Sequence, residues 1–287
     1  MSSPADALLA ILTLEPAGAD AFIGNSPPDG RQRVFGGQVL AQALLAACRT
    51  VEDRSAHSLH AYFLLPGDPL TPIVYEVERL RDGRSFTTRR VVARQQGTAI
   101  FATSISFHGD EPGYDHQMAP PAALPPEELP SIGELEREAT ALIPAPILAY
   151  FRRARAVEVR LATPGRYAAG AGESSFAVWF RVAGSLPDDP LIHQASLAYL
   201  SDMTLLDTSL GPHGRSVFEQ EIMAASLDHA LWLHRPFRAD EWLLYSQDTP
   251  SACGARGFAR GLIHDRAGRL IASVAQEGLI RPRTPRA

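Results

Sequence analysis

Two stretches of the chain have a similar order of hydrophobic and polar positions. Residues 57–63 are His-Ser-Leu-His-Ala-Tyr-Phe, and residues 225–231 are Ala-Ser-Leu-Asp-His-Ala-Leu. Each stretch follows a segment of small, helix-favouring residues. Each also precedes strand-like segments that end in an apolar strand, at residues 99–107 and 270–279. A long internal period of this kind predicts two copies of one supersecondary unit.

Two helices are predicted in the first half. Residues 36–48 are apolar on nearly every side, with alanine and glycine in place of bulky side chains. A helix that is apolar all round must be buried, so we expect this segment to be a central helix against a sheet. Ser3 and Pro4 precede the run Ala-Asp-Ala-Leu-Leu-Ala-Ile-Leu, which predicts a short capped helix at the N-terminus.

Strand-forming residues dominate the segments that follow the central helix. We predict strands at 57–65, 72–80, 85–95 and 98–108, with Gln96-Gly97 as a turn between the last two. A helix followed by an antiparallel meander that wraps around it is an α+β arrangement.

The second half repeats this order after a proline-rich segment. We predict an N-terminal unit at 1–110, a linker at 111–146 with a short acidic helix near 131–141, and a C-terminal unit at 147–287. The C-terminal unit contains a helix at 191–200 that opens at Pro190 and is capped by Asp188 or Asp189. Its predicted strands are 151–161, 175–182, 226–233, 241–247, 255–264 and 269–279.

Composition and charge restrict the possible functions of the 287-residue chain. The net charge is −5, which provides no basic field for nucleic acid. All 27 basic residues are arginine, which excludes a lysine Schiff base and a phosphate-binding P-loop lysine. Cys48 and Cys253 lack metal-type spacing and fit a reducing compartment. We find no signal-peptide pattern and no membrane-length apolar run, so we expect a cytoplasmic protein with no membrane span.

Two familiar hydrolytic motifs are missing from the sequence. No Gly-x-Ser-x-Gly segment occurs, which argues against a serine hydrolase with a nucleophile elbow. No His-Glu-x-x-His segment occurs either, and the nine histidines, including His57, His60, His229 and His234, are expected to make structural hydrogen bonds. We therefore expect no metal site.

Polar residues interrupt apolar surroundings at two places in the second half. Asp202 ends an otherwise apolar helix, where the helix dipole disfavours a carboxylate. Gln276 interrupts the apolar strand at 270–280. Each has a functional and a structural interpretation, because Asp202 could also be an exposed cap and Gln276 an outward-facing strand residue. Ser226 alone carries no signal.

Two further features of the first half each have two interpretations. Gly36-Gly37, before the central helix, could present backbone N–H groups to an anion or a carbonyl, or could allow close helix–sheet packing. Six arginines on two neighbouring strands could form a solvated sheet face or a phosphate-binding rim. They are Arg79, Arg81, Arg84, Arg89, Arg90 and Arg94.

Several segments, taken in order from about residue 12 to residue 281, resemble one family. Together they are similar to the TesB-type acyl-CoA thioesterases, also called acyl-CoA thioesterase II. The segments are Phe35-Gly-Gly-Gln-Val-Leu-Ala-Gln-Ala-Leu-Leu, His60-Ala-Tyr-Phe-Leu, Pro66-Gly-Asp, Tyr199-Leu-Ser-Asp, Ser226-Leu-Asp-His-Ala-Leu-Trp-Leu-His-Arg and Ala275-Gln-Glu-Gly.

This resemblance implies a fold, an activity and a site. The fold is a double hotdog, in which each of two tandem units wraps an antiparallel sheet around a long helix. The activity is hydrolysis of fatty acyl-CoA, without a cofactor, in a homo-oligomer that is a dimer or a tetramer. The resemblance also implies that Asp202, Ser226 and Gln276 together activate a water molecule. The family often has threonine where this chain has Ser226, and both residues keep the hydroxyl.

Two alternative functions stay open beside this one. A hotdog hydratase or dehydratase acting on 3-hydroxyacyl thioesters typically carries a Gly-Asp-x-Asn-Pro-x-His segment, which this chain lacks. A non-catalytic acyl-CoA-binding module is the second alternative. No DNA-binding helix pair accompanies the predicted fold, which argues against a transcriptional sensor.

Overall fold

The structure, a computed structural model, describes residues 3–28, 30–137, 143–153, 156–167 and 172–283. In its first half, helix α1 has a capping box, in which the Ser3 side chain accepts from Asp6 N–H and the Asp6 carboxylate accepts from Ser3 N–H. The elements of this half are α1 Pro4–Leu12, β1 Leu14–Pro16, β2 Ala21–Gly24, α2 Gly36–Cys48, β3 Ser55–Phe63, β4 Ile73–Asp82, β5 Phe86–Gln95 and β6 Thr98–His108.

The second half contains four further helices and seven strands among the described residues. Helix α5 is capped by Asp189, whose side chain accepts from Leu191 N–H. The elements are α3 Ile132–Arg137, α4 Ala145–Arg153, β7 Val157–Leu161, β8 Ser175–Val182, α5 Pro190–Ser201, α6 Leu205–Thr208, β9 Ile222–Ser226, β10 Asp228–Leu233, β11 Leu243–Cys253, β12 Arg256–His264 and β13 Leu270–Pro282.

The strands form one continuous antiparallel sheet with a symmetrical order. That order is β1-β2-β4-β5-β6-β3-β10-β13-β12-β11-β8-β7, and β9 pairs separately with β13. The two halves join through β3 and β10, where His60 pairs with Ala230. Because each half supplies one run of strands in the same order from this junction, the sheet confirms the internal repeat and the double hotdog, α+β fold.

The two central helices lie together inside the sheet. Helix α2 contacts α5 and strands β3 to β6. Every residue of α2 from Gly37 to Cys48 is buried, as its all-round apolar pattern predicted. Its two polar side chains both form hydrogen bonds. Gln42 accepts from the Tyr75 hydroxyl at 2.6 Å, and Gln38 donates to Ser26 Oγ at 2.9 Å.

The repeat has a different offset from the predicted one. Strand β3 ends at Phe63 and β4 begins at Ile73, while β10 ends at Leu233 and β11 begins at Leu243. The equal connections make Phe63 equivalent to Leu233, whereas the alignment above paired it with Leu231. That alignment was wrong by two residues because it relied on a shared Ser-Leu pair.

One predicted strand was partly wrong. Residues 151–153 of the predicted strand 151–161 close helix α4, and the strand itself is Val157–Leu161. Ile147, Leu148 and Phe151 recur at helical spacing and are buried, which explains the helix. The predicted helix near 131–141 is described only to Arg137, and residues 138–141 lie outside the described ranges. The unit boundaries at 110 and 147 stay a prediction.

None of the helices within the described ranges is long and apolar enough to cross a membrane.

Candidate active site

Asp202 lies at a junction between the two central helices. It is the C-cap of α5, and its side chain is only 5% exposed. Its carboxylate accepts a hydrogen bond from the Gly37 N–H, at the first turn of α2. The positive end of the α2 dipole therefore faces a carboxylate that the dipole of its own helix disfavours. The N-terminus of α2, from the first half of the chain, thus offsets the unfavourable position of Asp202 at the C-terminus of α5.

The structure supports backbone N–H donation at Gly36-Gly37, but the close packing there is between two helices and not between helix and sheet as predicted. A Cβ on Gly36 would lie 2.6 Å from Asp202 Oδ2, and a Cβ on Gly37 would clash with the Tyr199 carbonyl oxygen. The glycines thus allow the two helix ends to approach closely, and the approach brings the Gly37 N–H to Asp202.

Gln276 connects the other two predicted site residues. Its Nε2 donates to Asp202 Oδ1 at 2.7 Å and to Ser226 Oγ at 3.0 Å. Gln276 is fully buried and faces inward, so its interpretation as an outward strand residue was wrong. The structure therefore brings Asp202, Ser226 and Gln276 into direct contact, although they come from a helix end and two different strands.

Strand pairing places Ser226 and Gln276 on one face of the sheet. Strand β9 pairs with the end of β13, with Ser226 opposite Gly278, and β10 pairs with the preceding part, with Ala230 opposite Ala275. Gln276 lies two residues before Gly278 on β13, so its side chain points to the same face as Ser226. The register changes between β9 and β10, where the Glu277 N–H donates to the Asp228 carboxylate.

Burial sets the protonation behaviour of the site. Loss of solvent raises the pKa of the Asp202 carboxyl to about 6, against the opposing effects of the hydrogen bonds from Gln276 and Gly37 and of the positive charge of Arg31. Asp202 is thus ionised at neutral pH but takes up a proton more readily than an exposed aspartate. This combination suits a general base.

His229 is a neighbour of the site that sequence reasoning did not assign to it. Its Nδ1 lies 3.8 Å from Asp202 Oδ1, and its Nε2 lies 2.9 Å from Ser201 Oγ. Burial lowers the pKa of His229 to about 3, so the ring is neutral and cannot form an ion pair with Asp202. The bond to Ser201 agrees with the predicted structural role of the histidines. The Asp-His pair directly after Ser226-Leu227 was the available signal for its place beside the site.

A cavity of about 530 Å³ opens onto this cluster. Gly36, Asp202 and Ser226 lie in its wall, while Gln276 lies behind them. The wall is mostly apolar, which suits a hydrocarbon chain. Its apolar residues include Val39, Phe63, Ile100, Phe101, Met203, Leu206 and Val217.

The cavity wall contains a second carboxylate, Asp207, whose negative charge is already paired with a buried arginine. Asp207 accepts from Arg166 Nη2 at 2.8 Å, from the Ser216 hydroxyl at 2.7 Å and from the Tyr167 hydroxyl at 3.2 Å. Both members of the ion pair are buried. Because its lone pairs are engaged in this way, Asp207 is less suited than Asp202 to accept a proton from water.

The six arginines of the predicted rim lie away from this cavity, and none lines it. Arg79 pairs with Asp20 at 2.9 Å and Arg94 with Glu76 at 2.8 Å. Arg89 is buried and bonds to Asp82 at 2.6 Å. These contacts favour the structural interpretation of the sheet arginines.

Comparisons with known proteins match two separate parts of the chain. A family model described as acyl-CoA thioesterase matches residues 149–279, and one described as acyl-CoA thioesterase N-terminal domain matches residues 26–108. The chain is 39% identical over 285 residues to acyl-CoA thioesterase 2 of Haemophilus influenzae, covering 98% of this chain and 99% of that protein. The chain belongs to the acyl-CoA thioesterase family.

Other members of this family agree along nearly the full length. Human acyl-coenzyme A thioesterase 8 is 38% identical, over 94% of this chain and 88% of that protein. The crystal structure of acyl-CoA thioesterase II TesB2 from Mycobacterium marinum is 41% identical, with a TM-score of 0.82 over 98% of this chain and 100% of that one. A hot dog fold protein from Alicyclobacillus acidocaldarius, at 19% identity and a TM-score of 0.78, shares the fold.

Proposed function

We propose that this protein hydrolyses fatty acyl-CoA to the free acid and CoA, using a water molecule that Asp202 activates and that Ser226 and Gln276 hold. The observation that carries the proposal is the hydrogen-bonded cluster of these three side chains at an apolar cavity. Membership of the acyl-CoA thioesterase family supports the substrate class.

The hydrogen bonds support a separate role for each side chain. Both protons of the Gln276 amide are used, one toward Asp202 and one toward Ser226. Ser226 Oγ is thereby an acceptor from Gln276, so its own hydroxyl proton can point to a water in the cavity. Asp202 accepts a proton from the same water. Gln276 acts on the reaction by holding the other two groups in place.

The chemical step needs no covalent intermediate on the protein. Water loses a proton to Asp202 as its oxygen bonds to the thioester carbonyl carbon. The carbon–sulfur bond then breaks, and the leaving thiolate of CoA takes the proton back from Asp202. The carboxylic acid and CoA leave, and Asp202 is again ionised.

The developing oxyanion requires hydrogen-bond donors nearby. The first turn of a helix has backbone N–H groups without intrahelical partners. Gly36 is the first residue of α2 and lies in the cavity wall. We propose that the first turn of α2 supplies this stabilisation, in addition to the bond that Gly37 gives to Asp202.

Hydrolysis is tested by following thiol release with a thiol reagent across a series of acyl-CoA chain lengths. We expect turnover in the wild type and a large loss in Asp202→Asn. Stoichiometric acyl-CoA binding with no thiol release in any length would instead indicate a binding module. Hydration of crotonyl-CoA without thiol release would indicate a hydratase.

A further inference from the structure

Two arginines lie in the wall of the active-site cavity, on the segment that leads into α2. Arg31 is half-buried, with its guanidinium 5.0 Å from the ring centre of Phe35, and Arg33 is exposed. We propose that Arg31 and Arg33 form the subsite for the phosphate groups of CoA. This inference rests on the proposed function and specifies how the head group of the substrate is held.

The chain length between these cations and the reacting centre is compatible with the length of the substrate. A Cβ on Gly36 would touch Asp202, and Arg33 precedes Gly36 by three residues. Three residues span at most about 10 Å, and an extended arginine side chain reaches farther. The pantetheine arm separates the thioester sulfur from the diphosphate by roughly 16 Å at about 1.2 Å per bond. These limits allow Arg33 to reach the diphosphate of a thioester bound at Asp202.

The charge of the substrate favours such a subsite. The diphosphate and the 3′-phosphate of CoA together carry about −4 at neutral pH. The protein itself has a net charge of −5, so local cations attract this group where the overall charge does not. Guanidinium groups match phosphate geometry with paired N–H donors. Arg31 also acts on the active-site carboxyl, because its positive charge lowers the pKa of Asp202 against the effect of burial.

Two other arginine clusters lie outside the active-site cavity. None of the six sheet arginines lines the cavity, and three of them bind neighbouring carboxylates, as described above. A separate groove of about 520 Å³ is lined by Arg215, Arg256, Arg281 and Arg283. Its Arg215 bonds to Glu219 at 2.6 Å and its Arg256 to Glu277 at 2.9 Å. Among the described residues, this groove shares no lining residue with the active-site cavity.

The test compares two substrates that differ only in the phosphate groups. One acyl group of suitable length is presented as acyl-CoA and as acyl-pantetheine, which lacks the phosphates. We compare kcat and KM for the wild type, Arg33→Gln, and Arg31→Gln combined with Arg33→Gln. Arg90→Gln on β5 and Arg281→Gln in the separate groove are matched controls, since each also removes one exposed arginine. Melting temperatures establish that every variant is folded.

We expect Arg33→Gln to lower kcat/KM for acyl-CoA about fivefold through KM, which corresponds to an exposed ion pair. The double variant should have a still lower kcat/KM for acyl-CoA. Added salt should reduce the difference in kcat/KM between the wild type and the variants. Hydrolysis of acyl-pantetheine should stay within about twofold of wild type for Arg33→Gln. Equal losses on both substrates, or a selective loss in Arg90→Gln or Arg281→Gln, would overturn the inference. If the wild type hydrolyses neither substrate, the proposed function itself fails.

Discussion

Replacement of Asp202 by asparagine separates the proposed catalytic role of this carboxylate from its effect on stability. The variant keeps the size of the side chain and one oxygen, which can accept from Gln276. It removes the group that we propose takes the proton from water. Loss of a general base typically lowers the rate by about 10²–10⁴. We therefore expect kcat to fall by this factor while acyl-CoA binding persists.

The same replacement should stabilise the fold at neutral pH. Burial raises the pKa of Asp202 from 3.8 to about 6, so the folded protein binds this proton more tightly than the unfolded chain does. The resulting stabilisation is complete below pH 3.8 and is lost as the pH rises through 6. A shift of this size corresponds to about 3 kcal/mol at neutral pH. Asparagine does not titrate, so the variant does not lose stability as the pH rises through 6.

Denaturant unfolding of both proteins at pH 5 and at pH 7.5 measures the effect. The free energy of unfolding of the variant, relative to wild type, should increase by about 1 kcal/mol between these two pH values. Contributions that do not depend on the Asp202 charge cancel in this difference. A difference that is flat or falls with pH would refute the argument that burial dominates at Asp202. Near-wild-type kcat in the folded variant would remove Asp202 from the mechanism.

Three further predictions concern the pH dependence of activity, the two side chains that hold the water, and the fragment 1–110. The logarithm of kcat/KM should fall with unit slope below about pH 6, because Asp202 must be ionised; a flat profile from pH 5 to 8 would contradict this. Ser226→Thr should keep most of kcat, while Ser226→Ala and Gln276→Ala should each lose on the order of 10²-fold. The loss of kcat in the double alanine variant should be smaller than the product of the two single losses, since both groups act on one water. Equal kcat values for Ser226→Ala and Ser226→Thr would show that the hydroxyl does not contribute to the reaction. Expressed alone, residues 1–110 should aggregate because β3 loses its pairing with β10; a soluble, cooperatively unfolding fragment would refute this.

Local sequence patterns predicted much of the fold for a physical reason. The central helix at 36–48 had no polar face, so it could only be buried, and the structure buries it. The cap at Asp189 and the turn at Gln96-Gly97 depend on neighbouring residues alone. The repeat offset and helix α4 were missed, because single dipeptides and short apolar runs carry less information than whole elements.

Local patterns and composition predicted the repeated helix–meander units, the absence of lysine chemistry and, through the resemblance to a family, three candidate site residues. That these residues meet follows from long-range packing. The carboxylate of Asp202 is stabilised by the N-terminus of α2, more than 160 positions away in the chain. Gln276 faces Ser226 because Ser226 pairs with Gly278, two residues further along β13. Helix-end contacts and strand register depend on distant residues, and no local pattern encodes them.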